Sequence, residues 1–233
     1  MHVMKKFLFL LLACCPLLCA AQSEWETPES MKAAESAKKV NSTGKMDNKE
    51  NDGNNKNNAT EIKDWEYIKE GAVPEKDGKV VFDFGIQLPG KTSQQVFDAT
   101  YTALDSLAHT STQISSGIAL INRKEHIIVA KCQEWLVFSK NFLSLDQTKF
   151  NYVIVASCTD NHLDLTIERM SYNYEEGRST GFRTSAEKWI SDKYAVNKKR
   201  TKLTAGPAKF RKKTIDRTKE IAKYIEEKIK EQF

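Results

Sequence analysis

The stretch KVVFDFGIQLPGKTSQQVFDATYTALDSLAH, residues 79–109, changes its hydrophobic period halfway along. From Val80 to Leu88 an apolar residue occupies every second position, which is the pattern of a strand with one buried face. After Pro89-Gly90 the apolar residues recur at the spacing of an amphipathic helix. Thr92 and Gln95 have the spacing of a capping box, which places the start of that helix. The stretch therefore predicts a strand, a Pro-Gly turn and a helix.

A match to the phosphate-binding loop of nucleotide-binding proteins lies inside this stretch. The residues GIQLPGKT, 85–92, fit the pattern G-x-x-x-x-G-K-[ST]. Ile86 and Leu88 continue the alternation of the strand, so only the residues from Pro89 to Lys91 are left to form a loop. Such a short segment cannot enclose a triphosphate, and proline has no N–H to donate. We therefore expect no nucleotide and no other cofactor at this turn.

Strand patterns continue after the helix. Four apolar runs follow with short turns between them: QISSGIALIN (113–122), HIIVAKCQEWLVFS (126–139), KFNYVIVASC (149–158) and HLDLTIERMSYNYE (162–175). In the last run the apolar phase slips between Ile167 and Met170, which predicts a β-bulge. Because consecutive strands with short links pair side by side, these runs predict an antiparallel sheet.

Two helical segments close the chain. Thr184 and Glu187 have capping-box spacing at the start of the segment TSAEKWISDKYAV, 184–196. A row of isoleucines from Ile221 to Ile229 marks an amphipathic final helix. Together with the first strand and helix, this order predicts an α+β domain in which an antiparallel sheet of about five strands is backed by helices.

The N-terminal residues have the features of a secretory signal peptide. Lysines precede the apolar run FLFLLLACCPLL, which is followed by small residues up to Ala21. We expect cleavage after Ala21, so that residues 1–21 are removed, and lipoprotein processing at Cys14 is the alternative. Residues 22–63 are rich in Asn, Lys and Asp and are predicted to form a disordered linker, because they contain too few large apolar residues for a core. The protein is therefore expected to be exported, to the periplasm or the extracellular side.

Charge is distributed unevenly over the rest of the chain. Residues 64–182, the predicted main domain, contain 11 Lys and Arg against 16 Asp and Glu. Residues 183–233, predicted to form a basic helical extension packed on that domain, contain 16 against 7. Within the extension, the candidate contacts to an anionic partner are Lys198, Lys199, Arg200, Lys209, Arg211, Lys212 and Lys213. Three interpretations are open: a solvated loop, cations docked on the acidic domain, or a contact to an anionic lipid, a polysaccharide or an acidic protein.

Few residues have the spacing that catalysis or metal binding requires. Cys132 and Cys158 are the cysteines outside the predicted signal peptide, and neither C-x-x-C nor H-E-x-x-H occurs. A hairpin centred near Ser144 would place Cys132 opposite Ala156, so a disulfide to Cys158 would need a shift of register. We expect two free thiols, with the disulfide as the alternative. No frame for a catalytic nucleophile surrounds any serine, and we expect no enzymatic activity.

Six segments spread over residues 65–230 share one resemblance. They are YIKEGAVPEKDGKVVF, LPGKTSQQVFD, EWLVFSKNFLSLDQTKFNYVIVASC, LTIERMSYNYEE, AEKWISD and KFRKKTIDRTKEI. Together they resemble an exported bacterial family catalogued as domain of unknown function 4468. The resemblance implies a TBP-like fold, which is a curved antiparallel sheet backed by helices. It brings no catalytic residues, because the family has no established activity, and the fold by itself does not imply DNA binding.

The sequence thus predicts an exported, non-enzymatic binding or interaction module of the bacterial cell envelope. It would act through the exposed face of the sheet or through the basic C-terminal segment, with envelope proteins, anionic lipids or polysaccharides as partners. An enzyme of unrecognised type is the second hypothesis, and binding of nucleic acid or another anionic polymer is the third. The third requires a continuous basic face, whereas the sheet region has an excess of acidic residues.

Overall fold

The computed structural model describes residues 64–233. The predictions for the signal peptide, for processing at Cys14 and for the linker concern residues 1–63 and lie outside the described residues. The described chain begins with a helical segment over residues 64–68. It then contains eight strands: β1 (Glu75–Lys76), β2 (Lys79–Val80), β3 (Phe82–Gln87), β4 (Gly117–Asn122), β5 (Ile127–Lys140), β6 (Leu145–Thr159), β7 (His162–Tyr174) and β8 (Phe182–Ser185).

The strands form one large antiparallel sheet and one small hairpin. β1 pairs with β2, and the large sheet has the order β3-β7-β6-β5-β4 with β8 also paired to β7. β3 pairs with residues 162–167 of β7 and β8 pairs with residues 171–174, so these two short strands lie end to end on the same side of β7. The antiparallel sheet predicted from the sequence is confirmed, and β8 is the strand of the large sheet that the sequence patterns missed.

Four further helices follow the order expected for an α+β domain: α1 (Ser93–Ala108), α2 (Ala186–Trp189), α3 (Asp192–Ala195) and α4 (Ala205–Lys230). The two long helices, α1 and α4, pack on one face of the sheet and on each other. Their apolar rows bury residues such as Phe97, Leu104, Ile221 and Ile225 in a core shared with alternate residues of β5, β6 and β7. The apolar residues of α1 and α4 recur about every 3.6 residues and so share one face of each helix. Those of the strands recur every second residue and so share one face of the sheet, and these apolar faces pack together.

The capping box predicted at the start of α1 is confirmed. The Thr92 side chain accepts a hydrogen bond from the Gln95 backbone, and the Gln95 side chain accepts one from the Thr92 N–H at 3.0 Å. Asn161, in the turn between β6 and β7, accepts a further bond from Gly90, whose φ of 78° favours glycine. The turn that carries the phosphate-loop pattern is therefore held by contacts within the fold.

We predict that Thr92→Ala lowers the free energy of unfolding by about 1 kcal/mol, because one N–H of the first helical turn loses its acceptor. Urea unfolding of the variant and the parent protein measures the difference. Thr102→Ala, at an exposed position inside the same helix, is the control and is expected to change stability by less than about 0.5 kcal/mol. Equal effects of the two substitutions would contradict the assignment of the cap.

The second capping box was predicted wrongly. Thr184 lies in β8 with its side chain buried, and the Glu187 carboxylate accepts a hydrogen bond from the Val80 N–H at 3.1 Å. The helix expected over this segment is divided into α2 and α3, whose N-cap residues make no side-chain cap. The predicted boundary between residues 182 and 183 consequently falls inside β8, because Phe182 and Thr184 face the same core as β7.

The bulge predicted in β7 is confirmed, whereas the register predicted for β5 and β6 was wrong. Pairing of β7 with β6 shifts between residues 168 and 171, and Arg169 has a φ of 53°. Cys132 of β5 lies opposite Tyr152 rather than Ala156. The difference has two causes: the turn is centred before Ser144, and β5 has a bulge between Val137 and Ser139.

Candidate functional site

The helices leave one face of the large sheet uncovered, and we call it the open face. In β5, β6 and β7 the buried residues alternate with partly exposed ones, and the partly exposed ones form the open face. Its rows follow from the pairing register. One row runs across the sheet through Leu120, Val129, Val155, Thr166 and Asp83.

An apolar patch occupies the half of the open face nearest to β4. Leu120 is 62% exposed, and its neighbours on the patch are partly exposed: Ile127, Val129, Val153 and Val155. β4 pairs with β5 on one side and is an edge strand of the sheet on the other. Its sequence, GIALIN, contains no charged residue. An uncharged edge strand beside an apolar patch is a surface on which another strand can pair, since edge strands present unpaired N–H and C=O groups.

A polar border crosses the open face next to the patch. The Gln133 amide donates to the Asn151 side chain at 2.8 Å, and the next row contains Trp135 and Lys149. Lys149 Nζ lies 5.9 Å from the Trp135 ring centroid and 2.5 Å from a Glu176 carboxylate oxygen. Hydrogen bonds from Lys149, Asn173 and Arg183 lower the pKa of Glu176 to about 2. The border thus combines an aromatic ring, 37% exposed, with a fixed ion pair.

The half of the open face nearest to β3 is polar and carries carboxylates. Asp83 pairs with Lys76 at 2.5 Å and accepts a hydrogen bond from Thr166 at 2.7 Å. Burial raises the pKa of Asp83, but these two hydrogen bonds outweigh it and the net shift is downward. A shallow groove of about 330 Å³ lies beside Asp83, Asp164 and Thr166. The groove is open to solvent, and each of its acidic and basic side chains, Lys76, Asp83 and Asp164, already contacts another side chain.

His162 is the histidine closest to a carboxylate on this face. Its Nε2 lies 3.0 Å from Asp164 Oδ1, and its Nδ1 lies 3.0 Å from the Gln87 amide nitrogen. Both ring nitrogens are therefore engaged, and neither points to a nucleophile. Gly85 lies directly against the ring, since a Cβ at this position would approach His162 Cε1 to 3.0 Å. The geometry indicates a packed cross-strand contact.

The candidate cations of the C-terminal segment divide into two groups. Four of them form ion pairs within the domain, through Arg200 and Arg211 with Asp192, Lys209 with Asp146, and Lys212 with Asp64. Lys198, Lys199 and Lys213 are exposed and form no ion pair with any residue of 64–233. Lys209 and Lys212 are thus docked on the acidic domain, residues 64–182. Asp192, the partner of Arg200 and Arg211, belongs to the 183–233 extension itself.

Two fully buried charges join α4 to the rest of the domain, and the sequence patterns identified neither ion pair. The Arg211 guanidinium donates to the Tyr67 and Ile190 carbonyls and to Asp192 Oδ1, each at 2.6 Å. Glu134 on β5 has no exposed surface and receives two hydrogen bonds from Arg217, at 2.9 and 2.7 Å. These pairs are structural anchors and lie away from the open face.

Cys132 and Cys158 are both buried and free, and the structure does not bring them together. Cys132 pairs in register with Tyr152, whereas Cys158 pairs with Leu163 on β7. Burial raises the pKa of both thiols to about 11, so both remain protonated at neutral pH. A protonated, buried thiol is a poor nucleophile.

We predict that the domain loses stability as the pH rises from about 9 to about 11. In the unfolded chain the thiols ionise near pH 9, whereas in the folded protein they ionise near 11, so the unfolded state releases protons first and gains stability. The effect is on the order of 2 kcal/mol for each thiol. Urea unfolding at several pH values measures it, and the variant with Cys132→Ala and Cys158→Ala should show a shallower decline. An equally steep decline in both proteins would contradict the prediction.

The described part of the chain lacks two kinds of feature, a membrane-spanning helix and a metal-binding cluster. Within residues 64–233, none of the helices combines the length and the apolar character that crossing a membrane requires. In the same range, no three His, Cys, Asp or Glu side chains are grouped so that they could hold a metal ion.

Comparisons with known proteins identify the family. The model of the family described as "Domain of unknown function (DUF4468) with TBP-like fold" matches residues 82–173. A crystal structure of a DUF4468 family protein from Bacteroides ovatus is 36% identical, covers 71% of this chain and 94% of its own, and superposes with a TM-score of 0.66. A TBP-like protein from Parabacteroides distasonis is similar in fold, with 15% identity, a TM-score of 0.53 and coverage of 68% of this chain and 97% of its own. No match was found among curated proteins. At this identity and coverage, the chain belongs to the DUF4468 family and has its TBP-like fold.

Proposed function

We propose that the protein is an exported, non-enzymatic binding module of the cell envelope, which binds an extended segment of a partner protein along β4. The observation that supports this proposal is the joint position of the β4 edge and the apolar patch. β4 is an uncharged edge strand, and Leu120 of the same strand contributes the most exposed side chain of the patch. An added strand would therefore gain backbone hydrogen bonds and apolar contacts at once.

An added strand would find an exposed apolar residue of β4 on each face of the sheet. Residues of an added strand point alternately to the two faces of the sheet, so every second side chain would lie beside Leu120 on the open face. The side chains between them would meet Ile121, which is 36% exposed at the helix-covered side of β4. A partner segment with apolar residues at alternate positions fits this surface.

The charges of the open face favour a protein over a nucleic acid. Basic residues on this face or bound to it are Lys76, Lys131, Lys149, Arg169 and Arg183, and acidic residues on it or bound to it are Asp83, Asp164, Glu168 and Glu176. Nucleic acid is bound by a basic surface that neutralises phosphates. A face with balanced charge and an apolar half is better matched by a polypeptide.

The experiment is site-specific photo-crosslinking in the native envelope. A photoreactive residue at Leu120 or at Trp135 should capture the same partner protein, whereas one at Lys223 on the solvent side of α4 should not. The captured peptide, once mapped by mass spectrometry, is synthesised and titrated against the purified protein. We expect Leu120→Lys to weaken its binding about tenfold or more, because a charge replaces an apolar contact.

Phe142→Lys, at an exposed apolar residue away from β4, is the matched control and should leave peptide binding unchanged. Capture of a second copy of this chain from Leu120 would replace the proposed partner with self-association through β4. Equal capture from Leu120 and Lys223, or a peptide affinity that Leu120→Lys does not change, would overturn the proposal.

A further inference from the structure

The hairpin that joins β5 to β6 ends in an exposed apolar tip, residues 141–145, which we call the hairpin tip. Phe142 is 101% exposed, Leu143 is 90% exposed and Leu145 is 52% exposed. Exposed apolar residues are common on protein surfaces when they are single. Three such side chains within four positions, at the end of the two longest strands, form a protruding apolar surface.

The backbone of the hairpin tip is held by its own hydrogen bonds. Asn141 Oδ1 accepts from the N–H groups of Leu143 and Ser144, at 3.1 and 2.8 Å, and from the Ser144 hydroxyl at 3.1 Å. The Asn141 N–H donates to the Ser144 carbonyl at 2.9 Å. Polar backbone groups enter an apolar medium at low cost only when they have partners. The tip thus presents Phe142 and Leu143 on a preformed turn that satisfies much of its own backbone.

Lysines that form no ion pair with any residue of 64–233 lie on segments next to the hairpin tip or to the N-terminal end of α4. Lys209, in the second turn of α4, pairs with Asp146, which directly follows the hairpin tip. The N-terminal end of α4 therefore lies close to the base of the hairpin tip. The loop that leads into this helix carries Lys198, Lys199 and Lys202, all exposed and without an ion pair to any residue of 64–233. Lys140, at the base of the tip, is also exposed and unpaired within this range. The hairpin tip is therefore apolar, and exposed lysines lie at its base and in the loop that precedes the adjacent end of α4.

We propose that this end of the domain docks on the surface of an anionic lipid bilayer. Phe142 and Leu143 enter the boundary between headgroups and acyl chains, and the lysines of the 197–203 loop contact the anionic headgroups. Apolar side chains beside clustered lysines are the combination that holds proteins at such surfaces. A protruding tip suits a bilayer surface, whereas a protein partner would need a pocket to receive it. The hydrogen bonds within the turn reduce the cost of placing its backbone in the apolar layer. The surface is distinct from the apolar patch at β4, so the two proposals stand or fall separately.

The experiment measures binding of the full chain to vesicles of phosphatidylcholine, with and without phosphatidylglycerol. We expect binding to the anionic vesicles that weakens with salt, since screening shortens the range of the lysine contacts. The variant with Phe142→Ser and Leu143→Ser should bind about tenfold or more weakly. The variant with glutamine at Lys198, Lys199 and Lys202 should lose a similar factor and most of the salt dependence. Every variant is prepared without the expected signal peptide, residues 1–21, and carries the same residues before 64, so the differences report on the described end of the domain.

A second measurement detects insertion directly. Phe142→Trp should be quenched by brominated lipid in the vesicles beyond the quenching seen for the parent protein, while Leu120→Trp should not be. Leu120→Lys and Lys213→Gln are controls that should leave vesicle binding unchanged. Unchanged binding of the Phe142/Leu143 variant, or no added quenching at position 142, would overturn the proposal. Capture of a protein from position 142 combined with tip-independent vesicle binding would assign the tip to a protein pocket instead.

Discussion

Arg211→Met should lower the free energy of unfolding by about 3–5 kcal/mol. Arg211 is fully buried, and its guanidinium donates to the Tyr67 carbonyl, the Ile190 carbonyl and the Asp192 carboxylate. Methionine is close in length but has no donor, so the buried Ile190 carbonyl and the partly buried Tyr67 carbonyl both lose their partner. Leaving a buried polar group unpaired costs more than an average hydrogen bond contributes.

Chemical unfolding measured by circular dichroism tests this expectation. Arg211→Lys should recover only part of the loss, because an ammonium group cannot reproduce the planar fork that reaches three acceptors. Lys213→Gln, at an exposed and unpaired cation two positions along α4, should change stability by less than about 0.5 kcal/mol. Equal stabilities of Arg211→Met and Lys213→Gln would show that Arg211 does not anchor the helix.

Arg217→Met should produce a loss of similar size, about 3–5 kcal/mol, for a different reason. Glu134 is buried on β5 and would remain with hydrogen bonds from Gln113 at 2.7 Å and Thr112 at 3.4 Å only. A buried carboxylate without its cation is either ionised at a high cost or forced to take up a proton.

A double-mutant cycle separates this penalty from ordinary loss of packing. The double variant with Glu134→Leu and Arg217→Met should be more stable than the sum of the two single changes by about 2 kcal/mol, because it leaves no unpaired charge. The measurement is urea unfolding of the parent, both single variants and the double variant. Additivity to within about 0.5 kcal/mol would mean that the two side chains do not depend on each other.

Local patterns in the sequence account for the parts of the fold that were predicted correctly. The period of two in β3, the capping box of α1 and the phase slip in β7 are all set by residues close together in the chain. β8 was missed because it has four residues, too few to show a period. The register of β5 and β6 was wrong because it depends on a turn at Asn141 and a bulge after Val137.

The candidate sites were harder to predict because they depend on pairings between distant residues. Glu134 and Arg217 are 83 positions apart, so no short pattern links them. One signal was present: Glu134 falls in phase with the buried residues Cys132 and Leu136, and a charge in an apolar row needs a partner. The apolar patch could not be located in advance, since it depends on which face of the sheet the helices cover.

The position of α4 affects the order in which the protein folds. This helix pairs with the start of the described chain through Tyr67 and Asp216, at 3.0 Å. At its other end, Lys91 Nζ lies 4.0 Å from the ring centroid of Phe233. Because α4 follows every strand of the sheet in the chain, the sheet is synthesised before the helix that completes its cover. A chain that stops before α4 would therefore leave part of the core open to solvent and prone to aggregation.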